Sequence, residues 1–171
     1  MKKILLYCGG LALVAVVLYL AVSGSEEKKP ESAPPPKKDL VSQLPNLKLL
    51  GLDGSVNYSR EFTGKNVVVL YHPDCDHCQR EAKEIRTQIK AFEDYDVWFV
   101  ASDSFENISQ FATDYDLVNH SNVHFARAEV EEIINNFGSI PTPSLYIYSE
   151  ELQLVKAIEG ETKIEEIIKY L

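Results

Sequence analysis

Residues 41–171 predict an α/β domain with a mixed central sheet flanked by helices, and three patterns lead there. Two apolar runs, Val67-Val68-Val69-Leu70-Tyr71 and Val97-Trp98-Phe99-Val100-Ala101, have no polar alternation and read as central strands buried on both faces. Between them Cys78, Ala82, Ile85, Ile89 and Phe92 recur at spacings of 4, 3, 4 and 3, which marks one face of a helix running from Asp76 to Phe92. Near the end, Leu145-Tyr146-Ile147-Tyr148 and Leu152-Gln153-Leu154-Val155-Lys156-Ala157 flank the acidic turn Glu150-Glu151 and should pair antiparallel.

The remaining elements follow in order. Leu47-Lys48-Leu49-Leu50, Asp53-Gly54 and Val56-Asn57-Tyr58 read as a hairpin, the Asp-Gly pair supplying the positive φ of a tight turn. After the second central strand, Phe105, Ile108, Phe111 and Tyr115 define a helix face, and Val123-His124-Phe125 a short strand. Val130, Ile133, Ile134 and Phe137 mark a short helix that Gly138 ends. Thr162-Lys163-Ile164-Glu165 has the capping-box form and opens a last helix with Ile164, Ile167, Ile168 and Leu171 inward. No internal repeat is visible.

Charge narrows the function. The chain holds 17 Lys+Arg and 26 Asp+Glu, and six of those cations and four of those anions lie in the first 40 residues. Residues 41–171 are left with 11 cations and 22 anions, near −11. Such a surface repels phosphate backbones, which argues against nucleic-acid binding and against docking on acidic headgroups.

The N-terminus has its own organisation. Residues 4–22 are 19 positions without a charge, behind Lys2 and Lys3. At about 1.5 Å per residue they nearly cover a hydrocarbon core of about 30 Å, so residues 1–22 read as a signal anchor and single transmembrane helix. A cleaved signal peptide is the rival, with Ala21-Val22-Ser23 as its site. Cys8 precedes most of the apolar stretch and follows Tyr7, so it reads as a bilayer-buried thiol and not as a lipidation site. Residues 23–40, with Pro30 and Pro34-Pro35-Pro36, lack large apolar side chains until Leu40 and read as an extended tether. Lys28, Lys29, Lys37 and Lys38 outnumber Lys2 and Lys3 on the positive-inside count. The domain is nevertheless expected outside the cytoplasm, because long domains translocate largely regardless of charge and the chemistry below suits that side.

That chemistry sits in Tyr71-His72-Pro73-Asp74-Cys75-Asp76-His77-Cys78-Gln79, a Cys-x-x-Cys where a central strand passes into a long helix. Residues three apart in a first helical turn share a face, so the two sulfurs can meet, and the first lies among amide N–H groups without intrahelical partners. Those donors favour a thiolate, the nucleophile of disulfide exchange. Cys75 is expected to attack and Cys78 to resolve. Asp74 is expected to N-cap the helix and Asp76 to be a first-turn acid favoured by the helix dipole, while His77 is expected to favour the Cys75 thiolate and the two aspartates, tuning the same pKa, to oppose it. Two other readings stay open: metal or copper binding through His72, Cys75, His77 and Cys78, and a scaffold whose cysteine pair is incidental. A purely structural disulfide closes too short a loop to constrain the unfolded chain much.

On these residues the chain resembles the thioredoxin superfamily, and most closely its membrane-anchored, TlpA-like and redoxin-like extracytoplasmic branch. The carriers are the opening hairpin, Cys75-Asp76-His77-Cys78, and Phe137-Gly138-Ser139-Ile140-Pro141-Thr142. The resemblance implies a thioredoxin fold, a reversible Cys75–Cys78 disulfide, Pro141 as the cis-proline beside it with Pro143 in competition, and the Ile140 backbone pairing with an extended substrate. It implies no cofactor and no metal, and protein thiols or disulfides as substrates together with a redox partner at the membrane. Trp before and Pro after the first cysteine, common in the family, are here Asp74 and Asp76, and a buried acid six residues before it is here Val69. Proton transfer to Cys78 must then use another group, with Glu81 or His72 as candidates, or water. The Pro-x-x-x-Thr lead-in of a peroxidatic cysteine is absent, since Val68 and His72 hold those places. The expected function is membrane-tethered extracytoplasmic thiol-disulfide exchange, reductase favoured over oxidase.

Overall fold

The computed structural model describes residues 42–171; the anchor and tether expected over residues 1–40, and Cys8, lie outside them. Among the described residues no helix is long and apolar enough to cross a membrane. Seven strands form one sheet in the order β2-β1-β5-β4-β3-β6-β7. They are β1 (Lys48–Gly51), β2 (Val56–Tyr58), β3 (Lys65–Leu70), β4 (Tyr95–Ala101), β5 (Val123–Arg127), β6 (Ser144–Tyr148) and β7 (Leu154–Glu159). Four helices accompany them: α1 (Asp76–Thr87), α2 (Phe105–Asp114), α3 (Val130–Phe137) and α4 (Ile164–Ile168).

β3, β4 and β5 run parallel, with β6 antiparallel to β3, β7 antiparallel to β6 and β1 antiparallel to β5. The central strands are buried on both sides because successive side chains point to opposite faces. Val67 and Val69 enter a core shared with α1, α2 and α4, whereas Val68 and Leu70 enter a second core with Leu47, Leu49 and Phe137. The first core holds an aromatic cluster in which Phe99 meets Phe125 at 5.0 Å and Tyr71 meets Phe111 at 4.5 Å between ring centroids.

The β1–β2 hairpin turns through Gly54, whose φ of +82° suits glycine. Three local expectations are corrected. The helix expected to reach Phe92 stops at Thr87, where the Gln88 N–H is shared between the carbonyls of Glu84 and Ile85, and Ile89–Phe92 continues as a 3₁₀ turn. On α3 only Phe137 is fully buried, while Val130 and Ile134 face solvent, because the helix lies over the margin of the second core. The capping box does not form: the Thr162 hydroxyl donates to the Gly160 carbonyl, and the Ile164 N–H donates instead to Glu84 of α1 at 3.0 Å. A neighbouring helix has taken over the role assigned to local sequence.

Phe99→Ala should cost about 3–5 kcal/mol, since it leaves a cavity where Tyr71, Phe111 and Phe125 converge, whereas exposed Val155→Ala should stay within about 0.5 kcal/mol. Urea denaturation of both variants measures the difference.

Candidate active site

The site forms where the C-terminal end of β3 meets the N-terminal end of β6. These strands are antiparallel with Leu70 opposite Ser144, so the loop after β3 and the loop before β6 emerge side by side. The first carries Cys75, the second Thr142 and Pro143. Cys75 is half-buried and Cys78 buried, both as free thiols.

Cys75 is itself the N-cap of α1, its sulfur accepting the Cys78 N–H at 3.4 Å. Asp74, expected in that role, is displaced outward. Its backbone N–H donates to His72 Nδ1 at 3.2 Å, and its carboxylate stays exposed. The cause is register: the amides left bare by the first turn point at the residue that starts it, and that residue is the cysteine. Asp76 opens the helix as its first-turn acid.

The cis peptide is Thr142–Pro143, and this corrects the assignment of Pro141. Pro143 is buried directly before β6, whereas Pro141 is exposed and its carbonyl accepts the Ser144 hydroxyl at 2.6 Å. Because β6 starts at Ser144, the residue whose backbone faces the cysteines is Thr142 and not Ile140, which packs into the second core. The Cys75 thiol donates to the Thr142 carbonyl at 3.6 Å, and the Thr142 hydroxyl lies 4.0 Å from the sulfur.

The two thiols are electrostatically unlike. Burial would raise the Cys75 pKa, but hydrogen bonds from the Cys78 thiol and amide, the Thr142 hydroxyl and the His77 backbone amide overcome it and hold the thiol below its ordinary value. Cys78 is pushed up to about 12, by burial first and then by its bond to Cys75. Tyr71, walling the site, is raised by burial and then by Asp103 and Cys78, so it stays a phenol.

Neither histidine ring contacts sulfur. His72 Nε2 faces Asp103 at 3.5 Å. His77 contributes to Cys75 through its backbone amide only, because its ring turns away to hydrogen-bond Glu161 beside Arg80. The four ligands considered for a metal are therefore not gathered, and among the described residues no group of three or more His, Cys, Asp or Glu side chains is placed to hold an ion.

Glu81 is the residue whose weight the sequence reading underestimated. It lies one turn beyond Cys78 on the inward face of α1, and its carboxylate accepts the Thr162 N–H at 3.3 Å while its other oxygen is buried without a partner. Burial raises its pKa to about 7, assisted by the negative charges of Glu161 and Glu84. A charged residue among inward-facing Cys78, Ala82 and Ile85 was the available signal. Thr142, Arg80 and Glu161 were not anticipated.

The AhpC/TSA family matches residues 41–157. The thiol-disulfide oxidoreductase ResA of Bacillus thuringiensis subsp. konkukian is 24% identical over 172 aligned positions, covering 98% of this chain and 90% of that one. Among solved structures, a secreted Mycobacterium tuberculosis disulfide oxidoreductase homologous to E. coli DsbE superposes with TM-score 0.62 at 15% identity, over 73% of this chain and 93% of that one. Copper-bound ScoI of Arabidopsis thaliana gives TM-score 0.59 at 14% identity, over 74% and 96%. At these identities the structures share the thioredoxin-like fold with this chain.

Two predictions follow from the charges. In an iodoacetamide pH profile, Thr142→Val should raise the Cys75 midpoint, whereas His77→Ala, which keeps the backbone amide, should move it less; a larger effect at His77 would show that its ring acts on the sulfur. Glu81 should destabilise the fold as it ionises: its folded pKa of about 7 exceeds the ordinary value of about 4.3, so the stability present at low pH is lost as pH rises through 7. Glu81→Gln should therefore raise Tm at pH 8 and leave it nearly unchanged at pH 4.

Proposed function

We propose that this chain, which belongs to the AhpC/TSA family, is a membrane-tethered extracytoplasmic thiol-disulfide oxidoreductase that reduces protein disulfides through Cys75 and Cys78. The carrying observation is the asymmetry of the pair: one half-buried thiol held low at a helix N-terminus, the other buried and held high. A disulfide exchanger needs that division of labour.

The Cys75 thiolate attacks one sulfur of a substrate disulfide. An S–S bond forms between enzyme and substrate while the substrate's own S–S bond breaks, and the released thiolate takes a proton from water. Cys78 then loses its proton to the Glu81 carboxylate. The two side chains lie three positions apart on one helix face, about 5–6 Å between Cβ atoms. The Cys78 thiolate attacks Cys75, the Cys75–substrate S–S bond breaks as the Cys75–Cys78 bond forms, and the expelled substrate thiolate takes up the proton given back by Glu81 through solvent, so the substrate leaves as a dithiol. Two electrons have passed to the substrate, and an external dithiol redox partner must restore the pair. The extended substrate backbone runs past Thr142, the residue beside Cys75.

The direction of exchange depends on the charges around the Cys75 sulfur. An imidazolium on Cys75 would stabilise the thiolate and make the pair oxidising. Here the His77 ring is engaged by Glu161 instead, and Asp74 and Asp76 add negative charge nearby. Reduction is favoured. Anchorage rests on residues 4–22 and the following tether, and the ResA likeness extends through that start.

Cys78→Ser leaves the mixed disulfide with no internal thiol to resolve it, so partner proteins should accumulate covalently on Cys75 in intact cells, and Cys75→Ser should trap almost none. Diagonal electrophoresis of membrane fractions reads the yields. Equal yields from both variants would overturn the assignment of roles, and stoichiometric metal resisting removal would favour the ion-binding reading.

A further inference from the structure

Glu161 lies in the loop between β7 and α4, and two residues of α1 reach for it. Arg80 grips its carboxylate as a fork, Nε at 2.6 Å and Nη2 at 2.8 Å, and the His77 ring bonds the same group. Together they hold the Glu161 carboxyl down at about 2, chiefly through Arg80. Next along the loop, the Thr162 N–H donates to buried Glu81, and two residues on, the Ile164 N–H donates to Glu84. One helix thus holds one loop at three residues, Glu161, Thr162 and Ile164, and the attachment at Glu161 is the charged one.

We propose that Arg80 and Glu161 are positioning residues: their clasp, with His77 as third member, keeps the loop from Gly160 to Thr162 closed over Glu81 and so keeps that carboxyl out of water beside the cysteine pair. This rests on the reading of Glu81 as the proton acceptor for Cys78. Burial is the largest influence on Glu81, and the hydrogen bond it receives from outside α1 comes from this loop. The charged groups facing it are Glu84 on its own helix and Glu161 on the loop. Neither is a cation that would favour its ionised form.

Arg80→Gln separates the clasp from simple electrostatics, because the two act in opposite directions on Glu81. Removing a nearby cation leaves Glu161 unneutralised and can only raise the Glu81 pKa. Opening the loop gives up the Thr162 hydrogen bond, which holds the pKa down, but it also admits water, and because burial is the larger influence the net effect lowers it. In the ¹³C-glutamate-labelled full chain in detergent, the Glu81 carboxyl resonance, identified by its loss in Glu81→Gln, should titrate near 7 in the parent and at least about one unit lower in Arg80→Gln. Arg80→Lys keeps the charge without the fork and should recover part of the shift. Arg86→Gln, which breaks an exposed pair with Asp116 on the same helix, should leave Glu81 unmoved. Amide exchange at Thr162 should also accelerate by about tenfold in Arg80→Gln. A Glu81 midpoint that rises or stays fixed in Arg80→Gln, unchanged Thr162 exchange, or an equal shift in Arg86→Gln would overturn the clasp. The relay reading fails separately, if Glu81→Gln leaves the pH dependence of mixed-disulfide resolution unaltered; the carboxyl titration and the exchange rate still decide the clasp.

Discussion

The register between β3 and β6 is the constraint on which the rest of the site depends. Leu70 opposite Ser144 brings together two loops, one ending in Cys75 and the other in Thr142–Pro143, whose residues 75 and 142 stand 67 positions apart in the chain. A slip of one residue would turn every side chain of β6 to the other face. That slip is resisted from both sides, because Leu145 and Ile147 fill one core while Tyr146 and Tyr148 fill the other. The chemistry at the end of the sheet therefore inherits its geometry from packing well below it.

On that frame a single helix terminus creates two different thiols. Cys75 takes the capping position and collects the donors that a first turn leaves unpaired, whereas Cys78, three residues on, is carried into the core. The same helix repeats the arrangement one and two turns later with acids. Glu81 accepts the Thr162 N–H of the loop before α4, and Glu84 accepts the Ile164 N–H that opens α4. A short helix without a working cap of its own is thereby attached to the redox helix, which makes the β7–α4 loop part of the site's surroundings.

Most of the fold was legible because hydrophobic periodicity reports burial directly. The two-sided central strands and the inward stripe of α1 could be read from spacing alone, and the cysteine pair was placed correctly at the strand-to-helix junction. The misreadings share one physical origin, competition between a local rule and a distant partner. Asp74 is a good N-cap, but the cysteine beside it takes the capping position. Thr162 and Glu165 spell a capping box, yet a carboxylate of another helix reaches the Ile164 amide first. His77 stands between the cysteines in sequence, while its ring finds Glu161, which no spacing rule connects to it. Pro141 and Pro143 could not be ranked without knowing which residue begins β6.

The asymmetry of the two thiols also orders the proposed reaction in time. Before substrate arrives, Cys78 is held protonated by burial and by the neighbouring Cys75 sulfur. Formation of the mixed disulfide consumes the Cys75 thiolate, removing that negative charge and leaving burial as the main obstacle to ionising Cys78. Burial does not relax, so loss of charge alone cannot free the second thiol, and a base that is itself buried becomes the fitting partner. A carboxylate in water would titrate near 4 and accept the proton of a thiol far too weakly. Held out of water at about 7, Glu81 narrows that gap, and it does so because the loop above it stays closed. Resolution thus depends on a surface contact that touches neither sulfur.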